Sequence, residues 1–228
     1  MINKVNCFGN DIYIPACDDF IQVSIKNTGG WEKKIHECYS SFLTKDSVVI
    51  EIGAHVGTHT VAMAKLCKHV YTFEIQRFLN QLLNFNVINN GCFNVTTFFE
   101  GIHNYNAVKQ VEELDYTRVF NTGALTIESL HKPWGYPIMV TKIDTKFNYR
   151  FLNRLDLLKI DAEGVERDII KSGLQTIKHF KPRILIEFDG EPDKNEMKQM
   201  LPEYQWEDII DYHLDVPNQM MLGSYITK

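Results

Sequence analysis

The sequence predicts a single α/β domain in which a mostly parallel sheet is covered by helices on both faces. Its 228 residues suffice for one sizeable domain with a buried core. Short apolar runs rich in β-branched residues alternate with longer amphipathic segments, which is typical of strand–helix–strand units. The runs are apolar at nearly every position, as expected for strands that are covered on both sides.

Five of these runs are predicted to be strands, at Val48–Gly53, Val70–Glu74, Val95–Ile102, Leu155–Asp161 and Arg183–Phe188. Helices are predicted from apolar spacings of three and four residues, over Thr58–Cys67, Gln76–Asn89, Val165–Phe180 and Lys194–Leu201. Gly173 could interrupt the third of these helices. The last two strands are predicted at Trp206–Asp211 and Gln219–Ile226, as an antiparallel pair that closes the sheet.

Two segments do not follow this alternation, although no linker separates them from the rest of the chain. Residues 1–45 are predicted to form a β hairpin followed by a helix that begins at Trp31. Residues 104–144 form an insertion before the fourth strand, and long connections in compact domains are usually functional or mobile. We therefore expect residues 1–228 to be one domain, with the insertion on the substrate side.

The charge balance and the hydrophobic pattern exclude several classes of protein. There are 29 Asp and Glu against 24 Lys and Arg, a net charge of -5, and no long basic block. We therefore expect no nucleic-acid partner, because such binding relies on neutralising phosphates. No run reaches the ~18 to 20 apolar residues of a membrane span, and the first residues do not resemble a signal peptide. We expect a cytoplasmic protein with no membrane span, and the pattern leaves its oligomeric state open.

The segment VVIEIGAHVGTHT follows the first strand, where ligands bind in open parallel sheets. Gly53 and Gly57 permit a sharp turn and close approach of a ligand, and the helix that follows points its N–H groups at a negative group. A generic turn would explain the glycines equally well. His55 stands where a dinucleotide fingerprint has its second glycine, and its bulk obstructs a pyrophosphate. A smaller nucleoside with a carboxylate, such as S-adenosylmethionine, needs less clearance.

The ends of the second and third strands complete this predicted nucleoside site. Glu74 ends the second strand, where a carboxylate can accept both hydrogen bonds of a ribose diol. Glu100 and Gly101 end the third strand, where an adenine ring would lie. The predicted cofactor-binding residues are Glu51, Gly53, Ala54, His55, Gly57, Thr58, Glu74, Ile75, Glu100 and Gly101.

The fourth strand ends in LDLLKIDAEGVERDII, where charges cluster without a packing reason. Capping of the next helix explains part of the cluster. It does not explain why Lys159 interrupts an apolar strand, whereas a Lys159–Asp161 pair at a ligand crevice does. We therefore predict Asp161, Glu163 and Lys159 to be catalytic residues.

Together, VVIEIGAHVGTHT, VYTFEIQ, LLNFNVINNG, NTGALTI and LLKIDAEGVERDIIKSG resemble the FkbM family of S-adenosylmethionine-dependent methyltransferases. The resemblance covers about Gly30 to Phe188, and KIDAEGVE is its most specific part. It implies a class I methyltransferase (Rossmann-like) fold: a seven-stranded sheet whose last strand is antiparallel, here with the N-terminal β hairpin and the insertion added. It also implies O-methylation of a hydroxyl, often on a sugar of a glycan or glycosylated natural product.

The sequence departs from this family at two positions, with Glu51 where aspartate is commoner and His55 where asparagine is frequent. Both replacements keep the capacity to form hydrogen bonds. In the insertion, Asn121 and Gly123 match the family pattern and are predicted, with His103, to contact the substrate. From the N-terminal side, Trp31 and Glu32 could close over the donor, although packing of Trp31 on the sheet is the simpler interpretation.

Removing the proton of an acceptor hydroxyl requires a base or a metal ion. Asp161 is the first candidate base, Glu163 the second, and the histidines His55, His59 and His103 follow. Because a histidine on an outer helical turn is usually inert, His59 ranks low. The acids Asp161, Glu187 and Asp189 end neighbouring strands and could hold a divalent cation, but we favour metal-free catalysis.

Two other functions remain open at this stage. A nicotinamide-dependent oxidoreductase would use a similar sheet, but the middle glycine and a Tyr-x-x-x-Lys arrangement are missing. A non-catalytic nucleoside-binding scaffold would have no need for four acids at strand ends, namely Glu51, Glu74, Asp161 and Glu163.

Overall fold

The computed structural model describes residues 2–118, 121–123, 135–147, 151–187, 191–213 and 216–226. In chain order the elements are β1 (Ile2–Cys7), β2 (Asn10–Pro15), α1 (Asp19–Thr28), α2 (Lys33–Ser40), β3 (Val48–Ile52), α3 (Thr58–Leu66), β4 (His69–Phe73), α4 (Arg77–Asn89), β5 (Val95–Phe98), β6 (Glu100–Ile102), β7 (Ala107–Val111), β8 (Tyr136–Thr141), α5 (Ile143–Lys146), β9 (Leu157–Ile160), α6 (Glu166–Ser172), α7 (Leu174–Phe180), β10 (Arg183–Glu187), α8 (Glu191–Met200), β11 (Tyr204–His213) and β12 (Val216–Tyr225). None of the described helices has the length and apolar character needed to cross a bilayer.

The predicted α/β fold with a mostly parallel central sheet is confirmed. Seven strands are hydrogen-bonded in the order β11-β12-β10-β9-β3-β4-β5, and β12 runs antiparallel to both of its neighbours. The chain moves from β3 outward to β4 and β5, and later from β9 outward to β10 in the opposite direction. The strand order therefore reverses between β3 and β9, and a crevice forms beyond the carboxyl ends of strands at such a point.

The two faces of the sheet bury separate apolar clusters. Val49 and Leu157 point to one face, together with α3, α4 and the N-terminal hairpin, while Ile50 and Leu158 point to the other. Because side chains alternate along a strand, Lys159 lies on the same face as Leu157. The sequence thus places one buried lysine on the face that carries α3.

Two predicted elements are divided in the structure. Val95–Ile102 is one run in the sequence, but only β5 belongs to the central sheet, and β6 joins a second sheet of order β6-β8-β7. The physical reason is that β8, from the predicted insertion, offers its backbone to β6 in parallel register. The helix predicted at Val165–Phe180 is two helices, α6 and α7, that meet at Gly173, whose added Cβ would lie 3.0 Å from Ile143.

The N-terminal segment contains a helix that the sequence analysis missed. The predicted hairpin is present as β1 and β2, but α1 follows it, and α2 begins at Lys33 rather than at Trp31. Two capping residues define α1: Asp18 Oδ1 accepts a hydrogen bond from Ile21 N, and Gly29 adopts a left-handed conformation with φ of 78°.

Asn86 on α4 fastens the N-terminal hairpin to the rest of the domain. Its buried amide accepts a hydrogen bond from Tyr13 N at 2.8 Å and donates to Tyr13 O at 2.9 Å. It also donates to Val56 O at 2.8 Å, in the loop after β3. One side chain therefore joins β2, α4 and that loop.

We expect Asn86→Ala to lower the free energy of unfolding by about 2–4 kcal/mol, because the substitution leaves buried backbone groups of Tyr13 and Val56 without partners. Urea denaturation measures this loss. The control is Asn89→Ala on the same helix, where the exposed amide makes only a 3.5 Å contact with Asp11 O. Equal losses of unfolding free energy for the two variants would show that Asn86 does not hold the hairpin in place.

Candidate active site

The loop after β3 packs directly on the loop after β9. Gly53 has φ of +85°, and a Cβ added to it would lie 1.6 Å from the carbonyl oxygen of Asp161. Only glycine fits both the left-handed conformation and this contact. Gly57, with φ of +86°, is the residue before α3, and its added Cβ would meet Leu83.

A cavity of about 360 Å³ lies beyond the carboxyl ends of β3, β4, β9 and β10. It lies within the volume range of small-molecule sites. Its lining includes most of the predicted site residues: Glu51, Gly53, Ala54, His55, Thr58, Glu74, Ile75, Glu100, Gly101, Asn121, Gly123, Lys159, Asp161 and Glu163. Gly57 and His103 are not among the lining residues. Gly57 instead forms the turn before α3 and leaves room for Leu83.

Glu74 is buried at one end of the cavity, with each carboxylate oxygen held by a backbone N–H. Oε2 accepts from His55 N at 2.8 Å and Oε1 accepts from Gln76 N at 2.7 Å. Burial raises the pKa of Glu74 to about 7, and these hydrogen bonds act against that rise. The carboxylate is thus fixed in orientation and titrates near neutral pH.

A buried polar row runs beneath the cavity across three strands. Thr72 on β4, Glu51 on β3 and Lys159 on β9 stand in register. Glu51 Oε2 accepts hydrogen bonds from Thr60 and, at 3.0 Å, from Thr72. Burial raises the pKa of Glu51, although the Lys159 ammonium opposes this.

The Lys159–Asp161 pair that the sequence predicted is present. Lys159 Nζ lies 3.0 Å from Asp161 Oδ2, and the lysine side chain is 1% exposed against 22% for the aspartate. Burial works to raise the pKa of Asp161, but Lys159 and hydrogen bonds outweigh it, so the pKa lies below its usual value. Burial and the adjacent Asp161 charge move the pKa of Glu187 well above its usual range. Asp161 is therefore ionised at neutral pH while Glu187 keeps its proton.

Three carboxylates could hold a cation at this position. Oxygens of Asp161, Glu163 and Glu187 lie within 4.8 Å of one another, and oxygen ligands suit Mg²⁺ or Ca²⁺. The Lys159 ammonium already contacts Asp161 from below and would repel a divalent ion. Asp189, which the sequence analysis added to this group, lies outside the described residues.

Residues 121–123 of the insertion are held against the cavity by the predicted His55 and by Asp18 and Gln76, which the sequence did not point to. Thr122 Oγ1 lies 2.6 Å from His55 Nε2 and donates to the buried Asp18. Gln76 Nε2 donates to Thr122 O at 2.7 Å. Four distant segments meet here, which explains how Asn121 and Gly123 come to line the cavity. Burial lowers the pKa of His55.

His59 is also part of the site, although its sequence position suggested an inert surface residue. Its Nε2 lies 2.8 Å from Glu32 Oε2, and its Nδ1 lies 3.1 Å from Tyr39 Oη. Both His59 and Glu32 are buried and line the cavity. Glu32 has a left-handed backbone with φ of 51°, which no pattern in the sequence signals.

Two other predicted residues have different surroundings from those expected. Both oxygens of Glu100 contact Lys146 Nζ, at 2.7 and 2.6 Å, so this carboxylate is paired at the cavity wall. His103 lies beyond the lining, and its ring stands 4.2 Å from that of Tyr105. The structure therefore does not bring His103 together with Asn121 and Gly123.

The family comparison identifies the core of this chain. A model described as Methyltransferase FkbM domain matches residues 51–215. This range contains β4, β9 and the carboxyl end of β3, whose ends form part of the cavity, but not the N-terminal hairpin, α1 or α2. No curated protein matches the sequence significantly.

Solved methyltransferase structures share the fold at low sequence identity. Methyltransferase FkbM from Methylobacillus flagellatus is 16% identical to this chain, with a TM-score of 0.56. The superposition covers 79% of this chain but 44% of the Methylobacillus chain, so this chain spans less than half the length of that protein. An rRNA methylase from Streptococcus thermophilus is 11% identical, with a TM-score of 0.52, and the superposition covers 85% of this chain and 95% of the methylase. Precorrin-6y C5,15-methyltransferase from Geobacter metallireducens is 12% identical, with a TM-score of 0.53, and the superposition covers 86% of this chain and 89% of that enzyme.

We expect Gly53→Ala to lower the free energy of unfolding by more than about 3 kcal/mol, because the new methyl group overlaps a backbone carbonyl. Gly91→Ala is the matched control. It also has positive φ, 64°, but nothing lies within 4 Å of its added Cβ, so only the backbone penalty of about 1–2 kcal/mol applies. Thermal and urea unfolding of both variants measures the difference. Similar losses would show that the contact with Asp161 is not tight.

Proposed function

Because the chain belongs to the FkbM methyltransferase family, we propose that it transfers a methyl group from S-adenosylmethionine to a sugar hydroxyl of a glycan or glycosylated metabolite, with Asp161 as the base. The observation that supports this proposal most is the arrangement of one cavity. Glu74, a carboxylate of fixed orientation, lines the cavity at the end of β4. Asp161, an ionised acid, lines it at the end of β9, next to Gly53.

The residues around Glu74 suit the nucleoside part of this donor. A carboxylate offers about four lone-pair positions, and two backbone N–H groups use one on each oxygen. The remaining positions can accept both hydrogen bonds of a ribose diol. Ile75 and Ile102 also line the cavity, beside Gly101, and provide apolar walls for the adenine ring of the nucleoside.

The charge of the cavity suits a cationic donor. Among the lining residues that the structure describes, seven are acidic: Glu32, Glu51, Glu74, Glu100, Asp161, Glu163 and Glu187. Lys159 is the one lysine of that lining, which contains no arginine. Such a lining attracts a positive sulfonium and repels phosphates, which supports a sugar acceptor over a nucleic acid.

When bound, the donor supplies a methyl carbon attached to a positively charged sulfur. Asp161 then has two tasks: its negative charge faces the sulfonium side of the cavity, and it accepts the hydroxyl proton as the C–O bond forms and the C–S bond breaks. Lys159 keeps Asp161 ionised for this step and holds its Oδ2 in place. Glu163 is the second acid on the acceptor side, 3.7 Å from the position of a Cβ on Gly123.

We propose that this reaction needs no metal ion, because Lys159 already supplies a positive charge next to Asp161. Asn121 and Gly123 are proposed to contact the acceptor.

We expect S-adenosylmethionine and S-adenosylhomocysteine to bind in isothermal titration calorimetry, and Glu74→Gln to weaken both by at least about tenfold, since an amide cannot accept both diol hydrogen bonds. Glu207→Gln, at an exposed position on β11, should leave the affinity unchanged. Absence of binding to the unaltered protein would refute the proposed function.

The donor affinity should also depend on pH through Glu74. With a pKa of about 7, this group is mostly protonated at pH 6 and mostly ionised at pH 8. Because the ionised form accepts the diol, the dissociation constant should rise about tenfold as pH falls from 8 to 6. Glu74→Gln should abolish this dependence, and a variant that keeps it would assign the titration to another group.

Asp161→Asn should lower kcat by about 10²- to 10⁴-fold, as expected for loss of a general base, while the affinity for S-adenosylhomocysteine, which lacks the sulfonium charge, stays within about threefold of the unaltered protein. The acceptor is found with labelled S-adenosylmethionine against sugars and nucleotide sugars, followed by mass analysis of the methylated product. The same assay with a chelator should show unchanged turnover. Full activity of Asp161→Asn would refute its role as the base, and loss of activity on chelation would refute metal-free transfer.

A further inference from the structure

Part of the cavity wall comes from a segment that the family model does not cover. Phe20, Trp31 and Glu32 line the cavity but precede residue 51, where the match begins. The proposed donor contacts all lie inside the matched range. A fold does not dictate its substrate, so the wall outside the family core is the natural place for acceptor recognition.

Glu32 is fixed in this wall rather than extended into solvent. It is 3% exposed, and its Oε2 lies 2.8 Å from His59 Nε2. His59 is in turn held by Tyr39 Oη at 3.1 Å. The left-handed backbone of Glu32 costs free energy and persists only where the surroundings impose it, which is typical of functional positions.

The two aromatic residues form a continuous surface beside this carboxylate. The rings of Phe20 and Trp31 meet edge to face, with centroids 5.8 Å apart and an interplanar angle of 74°. Both side chains are partly buried and line the cavity. Aromatic rings provide large apolar contact area, and a carboxylate only accepts hydrogen bonds. The ligand that matches both is a ring with an apolar C–H face and several hydroxyl donors.

We propose that Phe20, Trp31 and Glu32 form the acceptor subsite, in which the aromatic pair contacts the face of a neutral sugar ring and Glu32, positioned by His59, accepts hydrogen bonds from its hydroxyl groups. This inference rests on the proposed function in taking the acceptor to be a sugar. It differs from the expectation that Trp31 and Glu32 close over the donor. It also gives α1 and the loop between α1 and α2 a role in specificity.

The test is saturation-transfer NMR on the full chain with methyl glycosides of glucose, galactose, mannose, rhamnose and fucose, with and without S-adenosylhomocysteine. We expect saturation transfer to the ring protons of at least one glycoside. Trp31→Leu and Phe20→Leu, which keep an apolar side chain but remove the aromatic face, should reduce this signal at least about fivefold. Glu32→Gln should weaken it, and Lys33→Ala, next in the chain and exposed, should leave it unchanged.

Calorimetry with S-adenosylmethionine separates this inference from the proposed function. The three subsite variants should keep the donor dissociation constant within about threefold while the KM of the acceptor, once found, rises at least about tenfold. Unchanged unfolding transitions show that the variants fold. A variant that loses donor affinity but keeps the glycoside signal would overturn the inference and place these residues in the donor site.

Absence of a signal with every glycoside would also overturn it. Failure of the unaltered protein to bind the donor would instead refute the proposed function. The glycoside experiment without S-adenosylhomocysteine would still report on the subsite.

Discussion

The charge of Asp161 depends on one buried ammonium group, that of Lys159. It lies in register with Glu51 on the neighbouring strand and 3.0 Å from Asp161. Burial disfavours its charge, but the surrounding carboxylates, first Asp161, then Glu32 and Glu51, raise the pKa of Lys159 above its usual value. A buried charge pair is costly to form and far more costly to leave half complete. Without this lysine, burial would raise the pKa of Asp161, and Asp161 could no longer act as an ionised group.

The sequence predicted the parts of the site that depend on strand ends. Residues that follow parallel strands meet at one edge of the sheet, so Glu74 and Asp161 could be assigned to one crevice without any structure. Lys159 was recognisable because a charge within an apolar strand needs a partner. Gly53 was predicted as a turn residue, but its contact with the carbonyl of Asp161 joins two loops that lie more than one hundred residues apart.

The sequence could not predict contacts that depend on helix packing or on distant segments. His59 was expected to lie on an outer, inert turn of α3, but every residue from Thr58 to Ala64 is buried, and His59 contacts Glu32 and Tyr39 instead of solvent. Periodicity also does not tell which sheet a strand joins. The run Val95–Ile102 therefore looked like one strand, although its second half pairs with β8.

His55 contacts both the proposed donor side of the cavity and the N-terminal segment. Its backbone N–H holds Glu74, on the proposed donor side, while its ring contacts Thr122 and lies 3.6 Å from Asp18, the residue that caps α1. The helix α1 in turn carries Phe20. Because His55 contacts both groups, the position of α1 is tied to that of the loop that orients Glu74. The N-terminal segment and the family core therefore form one site, and the positive φ of His55, 52°, is maintained by contacts from both.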